Sequence, residues 1–133
     1  RTLIRIRPGQ GRVPVFLVHD GNGEVLLYRT LALQLHPQHA VYGLQPAVRA
    51  DGSFIHTRIT EMAAAHIEQM RTVQPHGPYL IAGLCAGGVI SFEMAYQLQQ
   101  AGEQVLFVGM FDAADVAAEE RPSVSEPGQI FVK

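Results

Sequence analysis

An α/β architecture built on a mainly parallel sheet is what this sequence predicts, and three observations carry the prediction. Short, nearly continuous apolar runs alternate with longer stretches of helical spacing. Gly- and Pro-rich turns separate the two kinds of segment. The intervening stretches are long enough for helical crossovers rather than hairpins. The chain has 133 residues, 47% of them apolar and 17% charged, which is enough for one compact core and too little for two.

The elements follow in order. Leu3-Ile4-Arg5-Ile6 alternates like a short strand, and Pro8-Gly9-Gln10-Gly11 ends it. Val13 to Val18 is almost continuously apolar, as a strand covered on both faces must be. Glu24 to Leu35 carries Val25, Leu26, Leu31 and Leu35 at helical spacing, and His36-Pro37 closes it. Ala40 to Leu44 is another apolar strand. Arg58 to Val73 gathers Ile59, Met62, Ala63, His66, Ile67 and Met70 on one helical face, and Gln74-Pro75-His76-Gly77-Pro78 breaks it. Tyr79 to Leu84 reads as a strand, Ala86 to Gln100 as a helix stopped by Ala101-Gly102, and Val105 to Phe111 as the last strand. From Ala113 the pattern dissolves. Residues 114–133 hold Glu119-Glu120-Arg121-Pro122 and Ser125-Glu126-Pro127-Gly128, and read as a loop, the approach to a lid, or an irregular tail.

Composition excludes several functions. A net charge of −2 without a basic stripe offers no footprint for nucleic acid. No apolar run reaches the about 18 residues of a membrane helix. The single Cys rules out an internal disulfide framework or a multi-thiolate metal site, and predicts a reducing, cytoplasmic setting. The start Arg1-Thr2-Leu3, without Met or leader, reads as the interior of a longer chain.

The chemistry concentrates at Gly83-Leu84-Cys85-Ala86-Gly87-Gly88, between a strand and a helix. This is the G-x-S-x-G nucleophile elbow with Cys in the Ser position. A nucleophile on so tight a turn needs neighbours without bulk two positions away, which Gly83 and Gly87 supply. The helix that follows aims its free N–H groups and positive dipole end at the same spot. A buried Cys beside a Gly-rich turn, or a phosphate-binding loop, is the alternative; the strand before and helix after favour the elbow. Val18-His19-Asp20-Gly21-Asn22-Gly23 follows an earlier strand, where elbow enzymes place one backbone donor of an oxyanion hole. The expected donors lie near Gly21 and at Ala86, although an ordinary Gly-rich turn leading into a helix also fits the loop. Asp112 comes directly off the last strand and suits the acid of a nucleophile–acid–base order, with Asp115 its neighbouring competitor and an Asx turn its alternative.

No base follows. All six His residues (His19, His36, His39, His56, His66 and His76) precede Asp112. His66 falls on an apolar stripe and reads as a core histidine. His76 lies at the end of its strand opposite the nucleophile. His19 reads as scaffolding for the oxyanion loop, and the remaining three occupy loops.

Pro14–Asp20 with Gly21-Asn22-Gly23 and Leu27-Tyr28-Arg29 resembles the opening of the thioesterase domains that end nonribosomal peptide synthetases and related polyketide synthase assembly lines. So does Gln74-Pro75-His76-Gly77-Pro78-Tyr79-Leu80-Ile81-Ala82-Gly83, leading into the elbow and Phe92-Glu93-Met94-Ala95. The likeness runs from about residue 12 to Ala113. It implies an α/β-hydrolase, of which residues 1–133 would be the N-terminal part of one domain. Cys85 would be the nucleophile, Asp112 the triad acid, and Ala86 with the Gly21 region the oxyanion hole. It also implies no cofactor of its own, a substrate carried on the 4'-phosphopantetheine of an acyl or peptidyl carrier protein, and release by hydrolysis, aminolysis or cyclisation. A stand-alone editing thioesterase and a non-catalytic fragment that docks on the carrier are the other readings. The sequence departs from the family in its Cys and in the lack of a His after Asp112. The rest of the domain, with the base, is expected on a further segment or partner, because a sheet cut at its last strand leaves an open edge and an unstable piece.

Overall fold

The computed structural model describes residues 2–112, in which strands and helices alternate as β1 (Leu3–Arg7), β2 (Val15–Val18), α1 (Tyr28–Ala32), β3 (Val41–Leu44), α2 (Ile59–Arg71), β4 (Tyr79–Leu84), α3 (Ala86–Gln100) and β5 (Val105–Phe111). The sheet order is β1-β3-β2-β4-β5. β2 lies at the centre, parallel to β3 and β4, and β5 runs parallel to β4. Only β1 is antiparallel, pairing Leu3 with Leu44 and Arg7 with Val41 across a bulge. This is the mainly parallel sheet with flanking helices that the alternation of segments requires. Segment 114–133 and Asp115 lie outside the described residues.

Side-chain alternation along the strands sorts the core into two layers. Phe16 and Val18 of β2 and Tyr79 and Ile81 of β4 point to one face, where Met62, Ala63 and Met70 of α2 and Ile90, Met94 and Leu98 of α3 cover them. Leu17 of β2 and Ala82 and Leu84 of β4 point to the other, under Tyr28 and Ala32 of α1. A strand buried on both faces has no polar positions, which is why these runs read as continuous apolar segments.

Within the stretch from Glu24 to Leu35 the chain turns from Leu26 onward, and only Tyr28–Ala32 is α-helical, a shorter helix than its periodicity predicts. The reason is the hydrogen-bond step. Tyr28 and Arg29 donate N–H to the carbonyls of Val25 and Leu26, and Leu33, Gln34 and Leu35 to those of Thr30, Leu31 and Ala32, each three residues back rather than four. The Arg7 guanidinium then takes the carbonyls at the far end: Nη1 donates to Ala32 and to Leu35 (3.1 Å), and Nη2 to His36 (2.7 Å) and His39 (2.6 Å). Apolar spacing reports which face is buried and does not distinguish these two steps.

The Gln74–Pro78 turn is fastened far from the nucleophile. Glu103 accepts the Gly77 N–H (2.9 Å), binds His76 Nδ1 (3.0 Å) and pairs with Arg71 (3.2 Å). These partners hold the Glu103 carboxyl below its ordinary range, the Gly77 N–H most strongly. The Gln74 amide bonds the carbonyls of His76 and Pro78, and the Tyr79 hydroxyl bonds that of Gln74. That distinctive run of residues therefore builds a rigid entry into β4.

Candidate active site

Cys85 sits between the last residue of β4 and the first of α3, with φ 51° and ψ −112°. Among the described residues it is the one non-glycine with positive φ. Such a conformation costs about 1–3 kcal/mol and persists only where the surroundings enforce it. Here the Cys85 N–H donates to the Phe111 carbonyl (2.8 Å), and the Cys85 carbonyl accepts from Gly88 (2.8 Å) and Val89 (3.2 Å). The thiol is exposed, so this is not a buried structural Cys.

The flanking glycines are steric requirements. A Cβ on Gly83 would lie 2.3 Å from the Gly87 carbonyl carbon, and one on Gly87 would lie 2.4 Å from the His19 carbonyl oxygen and 2.5 Å from that of Val18. β4, α3 and the chain leaving β2 thus meet backbone to backbone. Gly88, to which the sequence assigns no separate role, lets α3 close on β5: a Cβ there would fall 2.3 Å from Met110 Cγ.

The loop after β2 faces the start of α3. A Cβ on Gly21 would stand 3.8 Å from the Ala86 Cβ. Asp20 closes this loop, its Oδ1 accepting the N–H groups of Asn22 (2.9 Å) and Glu24 (2.9 Å), while its carbonyl accepts that of Gly23 (3.0 Å). Neither Gly21 nor Ala86 donates its N–H to another described residue. Two backbone donors beside an exposed thiol can receive the oxyanion formed when a thiolate attacks a carbonyl. Asp112 directly follows β5, as Cys85 follows β4, and the preceding residues Phe111 and Leu84 are paired. The two residues therefore leave adjacent parallel strands at the same level of the sheet.

Two buried histidines lie beneath the loop. His19 and His66 join Nε2 to Nε2 at 3.0 Å, and His19 Nδ1 lies 2.8 Å from the Asp20 carbonyl oxygen. A carbonyl can only accept, so Nδ1 of His19 carries its proton, its Nε2 is the acceptor, and His66 Nε2–H is the donor. Both rings are neutral. Burial, followed by the neighbouring His19 and His56, holds His66 at about 3 instead of 6.5. Burial also lowers His19, against the raising influence of Asp20. Among the described residues no hydrogen bond joins a histidine to Cys85. His39 binds the Val13 carbonyl at 2.6 Å, and His76 serves the Gln74–Pro78 turn. Asp20 and Tyr28 were not singled out by sequence; an Asp followed at two and four residues by loop N–H groups is the local signal for the first.

Among the described residues there is no cluster that could hold a metal, and no helix is long and apolar enough to cross a membrane.

Comparison with known proteins adds relatives to this geometry. Residues 13–129 match the thioesterase domain family. An inactive atromentin synthetase of Paxillus involutus is 40% identical over 102 residues, covering 76% of this chain and 10% of the relative. An atromentin synthetase of the same fungus is 33% identical over 117 residues, covering 88% of this chain and 12% of the relative. The chain thus spans about a tenth of the length of the curated relatives it matches. Among solved structures, the NocB thioesterase domain of the nocardicin cluster superposes with a TM-score of 0.73 at 30% identity, covering 91% of this chain and 55% of that one. A four-domain nonribosomal peptide synthetase superposes with a TM-score of 0.74 at 34% identity, covering 84% of this chain and 8% of that one. The sheet is that of an α/β-hydrolase, and this chain belongs to the thioesterase domain family, homologous to the thioesterase domains of nonribosomal peptide synthetases.

Proposed function

We propose that the chain acts in releasing an acyl or peptidyl group from the phosphopantetheine thioester of a carrier protein, through an acyl-enzyme on Cys85. The observation that carries this reading is the exposed thiol held at positive φ on the strand-to-helix turn, with the uncommitted N–H groups of Gly21 and Ala86 beside it. The thiolate attacks the thioester carbonyl carbon and a new C–S bond forms. The oxygen takes the negative charge and is received by the two N–H groups. On collapse, the bond to the pantetheine sulfur breaks, and that sulfur leaves with a proton. Asp112 is the group that orients the base. We assign the base to the part of the domain that this chain does not cover, as the partial coverage of the NocB domain supports. A carrier protein in the same polypeptide is the partner this reading requires.

Cys in place of Ser shapes the outcome of the second step. The acyl-enzyme stays a thioester, so little group-transfer energy is lost, and amines compete better with water for a thioester than for an oxygen ester. Cys85 therefore favours aminolysis or ring closure over hydrolysis. Cys85→Ser should raise the share of free acid among the products; an unchanged ratio of cyclised or aminolysed product to acid overturns this preference.

Relatives named as inactive synthetases leave a second reading open, a domain that docks on a carrier without turning over its cargo. Intact mass after exposure to an acyl-pantetheine thioester separates the two. Addition of the acyl mass at Cys85, and none in Cys85→Ala, supports the first; no adduct on a folded protein supports the second.

A further inference from the structure

We propose that Tyr28 is a positioning residue that sets the spacing of the two oxyanion donors, a role that rests on the catalytic reading above. β2 and β4 pair from Val15 with Leu80 to Val18 with Gly83, and their pairing ends there. The His19 N–H still continues the β2–β3 ladder, donating to the Leu44 carbonyl (3.0 Å) as the Val15 N–H does to Ala40, so β2 keeps β3 for one residue after its pairing with β4 has ended. The β2–β4 ladder thus stops at Gly83, two residues before Cys85.

The end of the ladder leaves two backbone groups without their sheet partner, and one hydroxyl serves both. Tyr28 donates its O–H to the Val18 carbonyl (2.6 Å) and accepts the Leu84 N–H (2.7 Å). The phenol stands in for one rung of the ladder, between a carbonyl of β2 and an N–H of β4. It binds β2 three residues before Gly21 and β4 two residues before Ala86, so it ties together the two segments whose N–H groups must converge on one oxygen. Tyr28 is fully buried, and burial raises its pKa, so the hydroxyl keeps the proton its donor role needs. Packing alone calls for the ring; the two backbone bonds, on two different strands, call for the hydroxyl. Oxyanion catalysis depends on donors placed to within a few tenths of an ångström, and a shift of 1 Å costs on the order of a hundredfold in rate.

The test compares two reactions of the same thiol. Acylation by an acyl-pantetheine thioester passes through an oxyanion. Alkylation by iodoacetamide displaces iodide at a saturated carbon and needs no oxyanion hole. In Tyr28→Phe, measured in the full-length polypeptide that carries this chain, acylation of Cys85 should fall about ten- to a hundredfold, and alkylation should change less than about twofold. Equal losses in both reactions, or no loss in either, overturn the proposal. Should Tyr28→Phe not fold, an ester in place of the Leu84 amide deletes only the N–H half of the bridge and is read by the same criterion. If the unsubstituted protein alkylates but does not acylate, the catalytic reading fails. The bridge is then judged by amide hydrogen exchange: protection of the Leu84 N–H should drop at least tenfold in Tyr28→Phe relative to that of Ile81, and equal protection overturns it.

Discussion

Lowering the pH should loosen this fold through His66, with an onset above the range in which carboxylates titrate. The His66 ring is buried, neutral, and donates from Nε2 to His19. Its pKa lies at about 3 in the folded protein, against the ordinary 6.5. A depressed histidine binds its proton in the unfolded chain first. Its contribution to stability is therefore complete above pH 6.5 and is lost as the pH falls toward 3. By pH 5 the chain has passed about 1.5 units below the ordinary value, which at about 1.4 kcal/mol per unit amounts to about 2 kcal/mol. His19, shifted the same way, adds to this loss. Urea unfolding at pH 7.5 and pH 5, in the native protein and in His66→Gln, isolates the effect. The Gln amide can still donate to His19 but takes no proton. Exposed His36 is shifted in the same window, but it contributes equally to both proteins and cancels. The loss of stability between the two pH values should shrink by about 2 kcal/mol in His66→Gln. Equal losses, or a His66 ring resonance titrating near pH 6.5, would refute the burial and tautomer reasoning together.

Two further perturbations test the backbone contacts around the turn. Gly87→Ala drives a Cβ against the carbonyl oxygens of His19 and Val18, which are main-chain atoms and cannot rotate aside. It should cost about 1–3 kcal/mol in a denaturant titration and reduce thioester acylation of Cys85 more than a hundredfold, and near-native acylation would contradict the shared position of loop and helix. Glu103→Gln keeps a group able to accept the Gly77 N–H but loses the charge facing His76 and Arg71. It should lower the melting temperature near neutral pH. Because the Glu103 carboxyl is held below its ordinary 4.5, its contribution is present above that value and fades as the pH falls further. The difference in melting temperature should accordingly narrow in acid, and a gap independent of pH would contradict the ion-pair account.

The central strands β2 and β4 were legible because they are covered on both faces, so that Phe16, Leu17 and Val18 leave no polar interruption to misread. The turn around Cys85 was legible because its steric demand is local: Gly83 must clear Gly87, four residues away, and so small a separation survives in a linear motif. The half-length of α1 was not legible, because its end is set by Arg7, 25 and more residues earlier in the chain, bonding the carbonyls from Ala32 to His39. The tyrosine bridge was hidden for the same reason. Tyr28 stands in a stretch that marks the family, yet its bond to Leu84 spans 56 positions and exists only once β2 and β4 have paired.

The same contrast explains how this sheet can hold a reactive centre without weakening its core. Three departures from regular structure near Cys85 are each compensated by a hydrogen bond to the main chain. The strained Cys85 peptide donates to Phe111, the Gly21 loop closes on the Asp20 carboxylate, and the ends of β2 and β4 share the Tyr28 hydroxyl. The N–H groups of Gly21, an exposed loop residue, and Ala86, the first residue of α3, have no acceptor among the described residues. The first N–H groups of a helix have no intrahelical acceptor and an exposed loop N–H is met by water, so leaving these two donors open costs the fold little and keeps them available to a ligand. Under the reading proposed above, both serve to receive the charge of the oxyanion, which joins the Gly21 loop and the Cys85 turn in one function.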